Sequence, residues 1–394
     1  MLENLEPAKK VTAPKDFRPG LEFDGNEGTA TTEGLPDAPN FDEFLEQRGY
    51  PADEYEIVGT PRTSQWQRWD GEWLTAYRFH FRKKVTDIDL PTLYAQAKRN
   101  SKYSKPPKKK RTDRVFVIAP ADFQIGKGGS RGGHEESIAR IHAAYARVEE
   151  KLKAGNYDHI VILDMGDVVE GVQNKADMDQ LVTNTLSPMQ QVDLASALLW
   201  DLMKIASKYA PITYGSVASN HCQFRVNKAA VGKPGVDDWG IVILQQLRRL
   251  ATEVGLPVER WLIPHPHDEG FAFDVFDDGS HVLGAIHGHQ VGRPDSFQAF
   301  WTKAVFNSTY LAAATLMVSG HFHHHRVEQF SGTEGRERWW VQASTLDNGS
   351  DWYTRTQGAG GDSTPALTCF ELEKGVPFRG KIDLLLTSAW TRHQ

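Results

Sequence analysis

Val115-Phe116-Val117-Ile118-Ala119 is followed almost at once by Ala121-Asp122-Phe123-Gln124. Five apolar residues in a row read as a strand buried on both faces, as in a parallel sheet, and not as an alternating half-buried strand. The carboxyl end of that strand then presents an acidic residue, Asp122. The pattern repeats outward. A helix from about Glu135 to Lys153 precedes a second apolar strand, His159-Ile160-Val161-Ile162-Leu163, and then Gly166-Asp167. A helix near Pro188 to Tyr209 leads to a strand near Ile212 to Val217 and to Ser219-Asn220-His221. After a helix around Trp239 to Val254 the chain turns to strands at 270–276, 281–286, 315–319, 339–342 and 367–372. Ile286-His287-Gly288-His289 and Gly320-His321-Phe322-His323 close two of them. Alternating βα units followed by mostly β structure predict an α/β fold, a layered sandwich with helices outside.

The chain of 394 residues is long enough for two domains and a sizeable core. With 40% hydrophobic and 24% charged residues it is not a disordered protein. A net charge of −6 argues against a protein that coats nucleic acid over its whole surface, but leaves room for a local basic track. Two cysteines, Cys222 and Cys369, make neither a disulfide framework nor a zinc-finger spacing, which points to a reducing compartment. The polar start Met1-Leu2-Glu3-Asn4 is unlike a signal peptide, and no apolar run approaches the roughly 20 residues of a membrane span. A cytoplasmic protein is expected, with no membrane partner.

Composition divides the chain further. Residues 1–38 are rich in Gly, Pro, Thr and acids without a sustained period, and read as an extended or poorly ordered arm. Residues 39–97 read as a small α+β module. Asn40 can cap a helix carrying Phe41, Phe44 and Leu45, with Glu43 placed for a capping box, and Tyr77, Phe79 and Phe81 alternate with Arg78, His80 and Arg82. Trp66, Trp69 and Trp73 are expected in the core of that module, with stacking on bases as the alternative. Residues 98–113 form a basic linker that includes Lys98, Arg99, Lys102, Lys105, Lys108, Lys109, Lys110 and Arg111, with Arg114 just beyond. It is either a solvated tether or a phosphate-contacting one. Residues 114–394, which carry the five polar motifs, are expected to form the catalytic domain. No internal repeat of 20–50 residues is visible.

The five polar motifs together supply two carboxylates, an amide and several imidazoles, which is a ligand set for two divalent metals sharing a carboxylate. Asp122, Asp167 and the pair His321 and His323 each follow a strand, and carboxyl ends of strands are where ligands gather in open α/β sheets. Their order and spacing resemble the calcineurin-like metallophosphoesterase family, whose signature runs Asp-x-His, Gly-Asp, Gly-Asn-His, His, Gly-His-x-His, over about residues 114 to 350. The resemblance implies a four-layer α/β/β/α sandwich. It implies one metal on Asp122, Asp167 and His323, and a second on Asp167, Asn220, His287 and His321, with Asp167 bridging. His221 corresponds to the family histidine that is not a ligand and would stabilise developing charge or protonate the leaving oxygen. A metal-bridging hydroxide would be the nucleophile. Mn²⁺ is the favoured ion, with Zn²⁺, Fe²⁺ and Mg²⁺ as alternatives.

Two positions depart from the signature. Gln124 stands where a second histidine is usual, and its carbonyl is expected either to ligate a metal or to hold a water. Ser219 replaces the usual Gly, which reads as a backbone matter. Other residues have plainer readings. His289 is expected behind the ligands and not among them, His324 and His325 on the surface or behind the ligands, and Asp164 as a strand-end residue bonding its own loop. The glycine-rich stretch 126–133 places Lys127, Arg131 and His134 as candidate substrate-binding residues, although it lacks the ending of a nucleotide-cradling P-loop. Cys222 is a small passive residue.

The substrate is open at this point. Long insertions between motifs and the basic linker suit a polyanion, so the expected activity is that of a DNA nuclease, similar to the SbcD-like repair nucleases and to phage-encoded metallophosphoesterases. In the phage case it would work in the host cytoplasm. Only about 70 residues follow His323, too few for the capping and docking segments of a full repair nuclease. The alternatives are a cyclic or linear nucleotide phosphodiesterase, a protein phosphatase, or a non-catalytic scaffold. The last is suggested by Ile286-His287-Gly288-His289-Gln290, which is identical to a stretch of the retromer subunit that resembles this family.

Overall fold

A computed structural model describes residues 17–23, 27–84, 106, 110–128, 133–171, 184, 186–226, 229–330, 337–347 and 365–386. The chain divides into two compact units, Met1–Ile88 and Asp89–Gln394. The first contains β1 (Gly20–Phe23), β2 (Glu27–Thr31), α1 (Phe41–Glu46), β3 (Tyr55–Gln67) and β4 (Trp73–Lys83), with the strands in one antiparallel sheet of order β1-β2-β4-β3. The alternation along β4 buries Phe79 and Phe81 beside Ala30 and Leu45, the behaviour of a strand with one wet face. Asn40 caps α1 by accepting the Asp42 N–H, while its own amide donates to Glu43. Two expectations change. Part of the stretch read as an arm is strand, because β2 pairs with β4; residues 1–16 lie outside the described residues. Two of the three tryptophans stay out of the core, since Trp69 at the β3–β4 turn is 93% exposed and Trp73 is 59% exposed, whereas Trp66 is half-buried. Alternation puts only every second residue of a strand inside, and the turn puts none there.

The second unit runs β5 (Arg114–Ala119), α2 (His134–Ala154), β6 (His159–Asp164), α3 (Pro188–Ser207), β7 (Ile212–Ser216), β8 (Arg225–Val226), β9 (Ala229–Ala230), α4 (Trp239–Val254) and β10 (Val258–Leu262). It continues with β11 (Phe271–Asp274), β12 (Val282–Ala285), α5 (Phe297–Phe306), β13 (Leu316–Ser319), β14 (Arg326–Phe330), β15 (Arg338–Gln342), β16 (Ala366–Glu373) and β17 (Ile382–Leu386). The helices start where the local chemistry allows. Ser187 and Gln190 form a reciprocal cap with Pro188 in the first turn of α3, and Asp238 caps α4, which ends on Gly255 at φ 68°.

A six-stranded sheet has the order β10-β7-β6-β5-β16-β17, with the first four strands parallel. A five-stranded sheet has the order β11-β12-β13-β15-β14, with β12, β13 and β15 parallel. Val115, Val117, Val161 and Leu163 of the first share one core with Leu283, Ala285, Leu316, Val318 and Val341 of the second, so the sheets pack face to face. The intervening residues Phe116, Ile118, Ile160 and Ile162 are equally buried on the opposite face. There α3 contacts β6 and β7, and α4 contacts β7. Burial on both faces is why these strands carry unbroken apolar runs. On the far side of the smaller sheet, Met317 and Trp340 meet Phe297, Trp301 and Ala304 of α5. Of the basic linker, residues 98–105 and 107–109 lie outside the described residues. Arg111 pairs with Asp113, and Arg114 pairs with Glu371. Among the described residues no helix is long and apolar enough to cross a membrane.

The Phe297 and Trp340 rings stack 4.0 Å apart and 8° from parallel, and the Trp340 indole N–H donates to Ser319 Oγ at 3.0 Å. Phe297→Ala leaves an aromatic-sized hole against the sheet and is expected to cost about 3–5 kcal/mol. A urea titration that left the unfolding midpoint unmoved would contradict this packing.

Candidate metal centre

Three parallel strands of the larger sheet, β5, β6 and β7, and three of the smaller, β12, β13 and β15, send their carboxyl ends into loops that carry Asp122 and Gln124, Asp167, Asn220 and His221, His287 and His289, His321 and His323, and Asp347 respectively. The backbone there is strained. Among the described residues eight non-glycine residues have positive φ, and five of them are Asp122, Gln124, Asp167, His321 and His323, at 52°, 44°, 50°, 73° and 60°. Such conformations cost of order 1–3 kcal/mol each and persist only where surrounding structure over-determines them. Here cross-loop hydrogen bonds do so. Asp122 N–H donates to Gly166 O at 3.0 Å, Gln124 N–H to Asp167 O at 2.9 Å, and Gly320 N–H to His287 O at 2.7 Å. Asp167 N–H donates to Ser219 Oγ at 2.8 Å, so Ser219 contributes a side-chain acceptor and not only backbone. Gly166 has φ 89°, and a Cβ on it would lie 2.5 Å from the Ser219 Cβ. Only glycine fits that turn.

The two aspartates are fully buried and divided in their use. Asp122 Oδ2 accepts the His321 N–H at 3.0 Å, and its Oδ1 faces His323 Nε2 at 3.4 Å. Asp167 Oδ1 accepts the His221 N–H at 2.9 Å, and its Oδ2 lies 2.9 Å from His287 Nε2 and 3.9 Å from His221 Nε2. The imidazoles are oriented from behind. His287 Nδ1 is 2.7 Å from Met165 O and His221 Nδ1 2.8 Å from Glu170 O; a carbonyl can only accept, so both protons sit at Nδ1 and both Nε2 atoms face the centre. His323 Nδ1 faces Asp347 at 3.3 Å in the same way.

Among the described residues, ligand atoms of Asp167, His287 and His321 all lie within 4.8 Å of one another. Neither Asp122 Oδ1 nor His287 Nε2 has a hydrogen bond of normal geometry. The charges point the same way. Burial lowers the His287 pKa, but the Asp167 carboxylate outweighs it and raises the group to about 9. Burial likewise opposes protonation of His323, and the carboxylates of Asp347 and Asp122 raise it. His321 is pushed down to about 3 by burial and by His287 beside it. The centre therefore draws positive charge to the two faces where carboxylates meet imidazoles, and divalent cations fit these donors. Asp167, His287 and His321 surround one such place, and Asp122 Oδ1 meets His323 Nε2 at another.

Gln124 and Lys127 are arranged differently from the sequence reading. The Gln124 carbonyl, expected to ligate or to hold water, accepts from Lys127 Nζ at 2.6 Å, and its amide nitrogen lies 3.4 Å from His221 Nε2 and 3.5 Å from His323 Nε2. Lys127 is not placed to bind substrate. Its ammonium also donates to Asp347 Oδ2 at 2.6 Å, and its side chain is only 11% exposed. Of the other substrate-binding candidates, Arg131 lies outside the described residues, and His134 is the first residue of α2.

His289 reaches Glu269 at 3.5 Å behind His287 and His321. His324 is exposed and bonds Phe322 O. Asp164 bonds Gly166 N–H and the Ser216 hydroxyl. Cys222 is buried, which pushes its thiol well up. Sequence reading missed Asp347, Glu170 and Glu269. The one signal for Asp347 was an acid soon after the 339–342 strand.

No protein-family model matches the chain, and no curated protein matches it. Among solved structures it is similar to a conserved uncharacterized protein, described as a predicted phosphoesterase, from Streptococcus pneumoniae TIGR4. The identity is 10%, the match covers 66% of this chain and 84% of that one, and the TM-score is 0.26. A likeness of that size says nothing about activity.

A cation on His287 must displace the proton that Asp167 holds there. The apparent affinity for Mn²⁺ is therefore expected to rise with pH from 6.5 to 8.5, below the His287 value of about 9, approaching tenfold per pH unit for each proton released. Calorimetric titrations in buffers of different ionisation heat count those protons. A pH-independent affinity with no proton release would remove His287 from the binding set.

Proposed function

We propose that the chain is a metal-dependent phosphodiesterase acting on DNA. The observation that carries this reading is the convergence of Asp167, His287 and His321 within 4.8 Å at the carboxyl ends of parallel strands. In this reading Asp167, Asn220, His287 and His321 hold one divalent ion, Asp122, Asp167 and His323 hold a second, and Mn²⁺ suits the mixed oxygen and nitrogen donors. Divalent ions held there polarise phosphoryl oxygens and lower the pKa of water enough for attack at neutral pH.

The rest of the chemistry belongs to the chain. Asp167 keeps one oxygen for the ions because its other oxygen is satisfied by the His221 N–H. The His221 ring is held by Glu170 O at Nδ1, so its Nε2 is the atom that exchanges a proton with the leaving oxygen. Asp347 fixes the His323 ring through Nδ1. DNA is favoured over a small ester by the basic residues between Lys98 and Arg114, and the exposed Trp69 and Trp73 offer ring faces on which bases can stack.

Hydrolysis of single-stranded DNA, double-stranded DNA and bis-p-nitrophenyl phosphate with Mn²⁺ tests the reading. Wild type is expected to cut DNA and the small diester. His221→Ala is expected to lower kcat by about 10²–10⁴-fold without changing Mn²⁺ affinity, and Asp167→Asn is expected to lose both activity and tight Mn²⁺ binding. Cleavage of the small diester alone turns the reading into a nucleotide phosphodiesterase. Retained Mn²⁺ binding with no hydrolysis of any of the three turns it into a scaffold.

A further inference from the structure

The Gln124 carboxamide stands between two kinds of partner. On one side its carbonyl accepts from Lys127 Nζ at 2.6 Å, and the same ammonium is held by Asp347 Oδ2 at 2.6 Å. A flipped amide would turn its NH₂ group against the ammonium, so Lys127 fixes which end faces inward. On the other side the NH₂ group faces His221 Nε2 and His323 Nε2, at 3.4 and 3.5 Å. The Gln124 backbone is held as well, at φ 44°, by its N–H to Asp167 O. An amide nitrogen has no lone pair to give a cation, whereas its two hydrogens are donors.

We propose that Gln124 is not a metal ligand but a substrate-binding residue, an amide donor locked by the Lys127–Asp347 pair and aimed at a phosphoryl oxygen bound beside His221 and His323. This deepens the phosphodiesterase reading and rests on it. With His323 Nε2 given to a cation, that ring would accept no hydrogen bond from the amide, and the hydrogen on that side would be available to a phosphoryl oxygen. The His221 ring is held independently, by Glu170 O at Nδ1. Lys127 acts through Gln124 as a positioning residue. Its ammonium is spent on Asp347 and Gln124, so it orients the donor and does not touch the phosphate.

Two affinities read the inference without turnover: Mn²⁺ for the metal-free full-length protein, and inorganic phosphate for the Mn²⁺-loaded protein, both by calorimetry. Gln124→Leu keeps the volume and removes the donor. It is expected to leave Mn²⁺ affinity within about threefold of wild type and to weaken phosphate binding about tenfold, in the range for a hydrogen bond to a charged group. A tenfold or larger loss of Mn²⁺ affinity makes Gln124 a ligand and overturns the proposal, and so does unchanged phosphate affinity.

Lys127→Met is expected to weaken phosphate binding in the wild-type background and to have an effect of less than twofold in the Gln124→Leu background. An undiminished effect there means that Lys127 contacts phosphate itself and overturns the positioning role. Thermal unfolding checks each variant. Should Lys127→Met not fold, Lys127→Met combined with Asp347→Asn, which removes both charges of the buried pair, replaces it in both backgrounds and is read against Asp347→Asn alone, with the same expectations. Wild type that binds Mn²⁺ but no phosphate overturns the phosphodiesterase reading together with this inference. Wild type that binds phosphate no better than Gln124→Leu overturns this inference alone.

Discussion

Asp122 and Asp167 each spend one carboxylate oxygen on the backbone N–H of a distant loop and keep the other for the centre. That division of labour is the constraint on which the site depends. A buried carboxylate is costly unless its lone pairs are satisfied. The N–H groups of His321 and His221 satisfy part of that need and at the same time bring the two histidine-bearing loops to the aspartates. What is left over, one oxygen from each aspartate facing imidazole nitrogens, is a demand for positive charge. The loops cannot be relaxed without giving up those bonds, which is why five site residues keep a left-handed backbone that non-glycine residues seldom adopt.

The same accounting of charge explains the neighbourhood of Gln124. Asp347 is a third buried carboxylate, and burial would raise its pKa, but Lys127 and His323 hold it well below the usual range. Lys127 therefore supplies a positive charge beside Gln124 and Asp347. It is a buried pair, 11% and 3% exposed, whose removal on one side would strand a charge. Through it, one half of the centre is supported from behind by Asp347 acting on His323, while the amide beside it is turned to donate.

Much of the fold could be read from the chain because the strands of the second unit are buried on both faces. Val115 to Ala119 and Ile160 to Leu163 contain no polar residue, and continuous apolar runs between helical stretches leave few alternatives. The edges were harder. α5 and the flanking strands β10, β14 and β17 carry weaker patterns, since each keeps partly exposed residues. The first unit misled in two ways. Residues 20–23 and 27–31 form strands because β4 offers β2 a partner and β2 offers one to β1, and Trp69 is exposed because it falls at a turn, although an indole argues for the interior.

By itself the sequence determined the α/β order of elements and the placing of acidic and imidazole residues just after strands, because strand burial and strand ends are local properties of a pattern. Only the tertiary structure decided which atoms of those residues face one another. Asp347 joins His323 and Lys127 across more than twenty and more than two hundred residues of chain, and the orientation of the Gln124 amide is settled by that contact. A carboxamide has a donor end and an acceptor end of nearly the same shape. Nothing in its own neighbourhood of sequence says which end will point inward; the charge packed against it does.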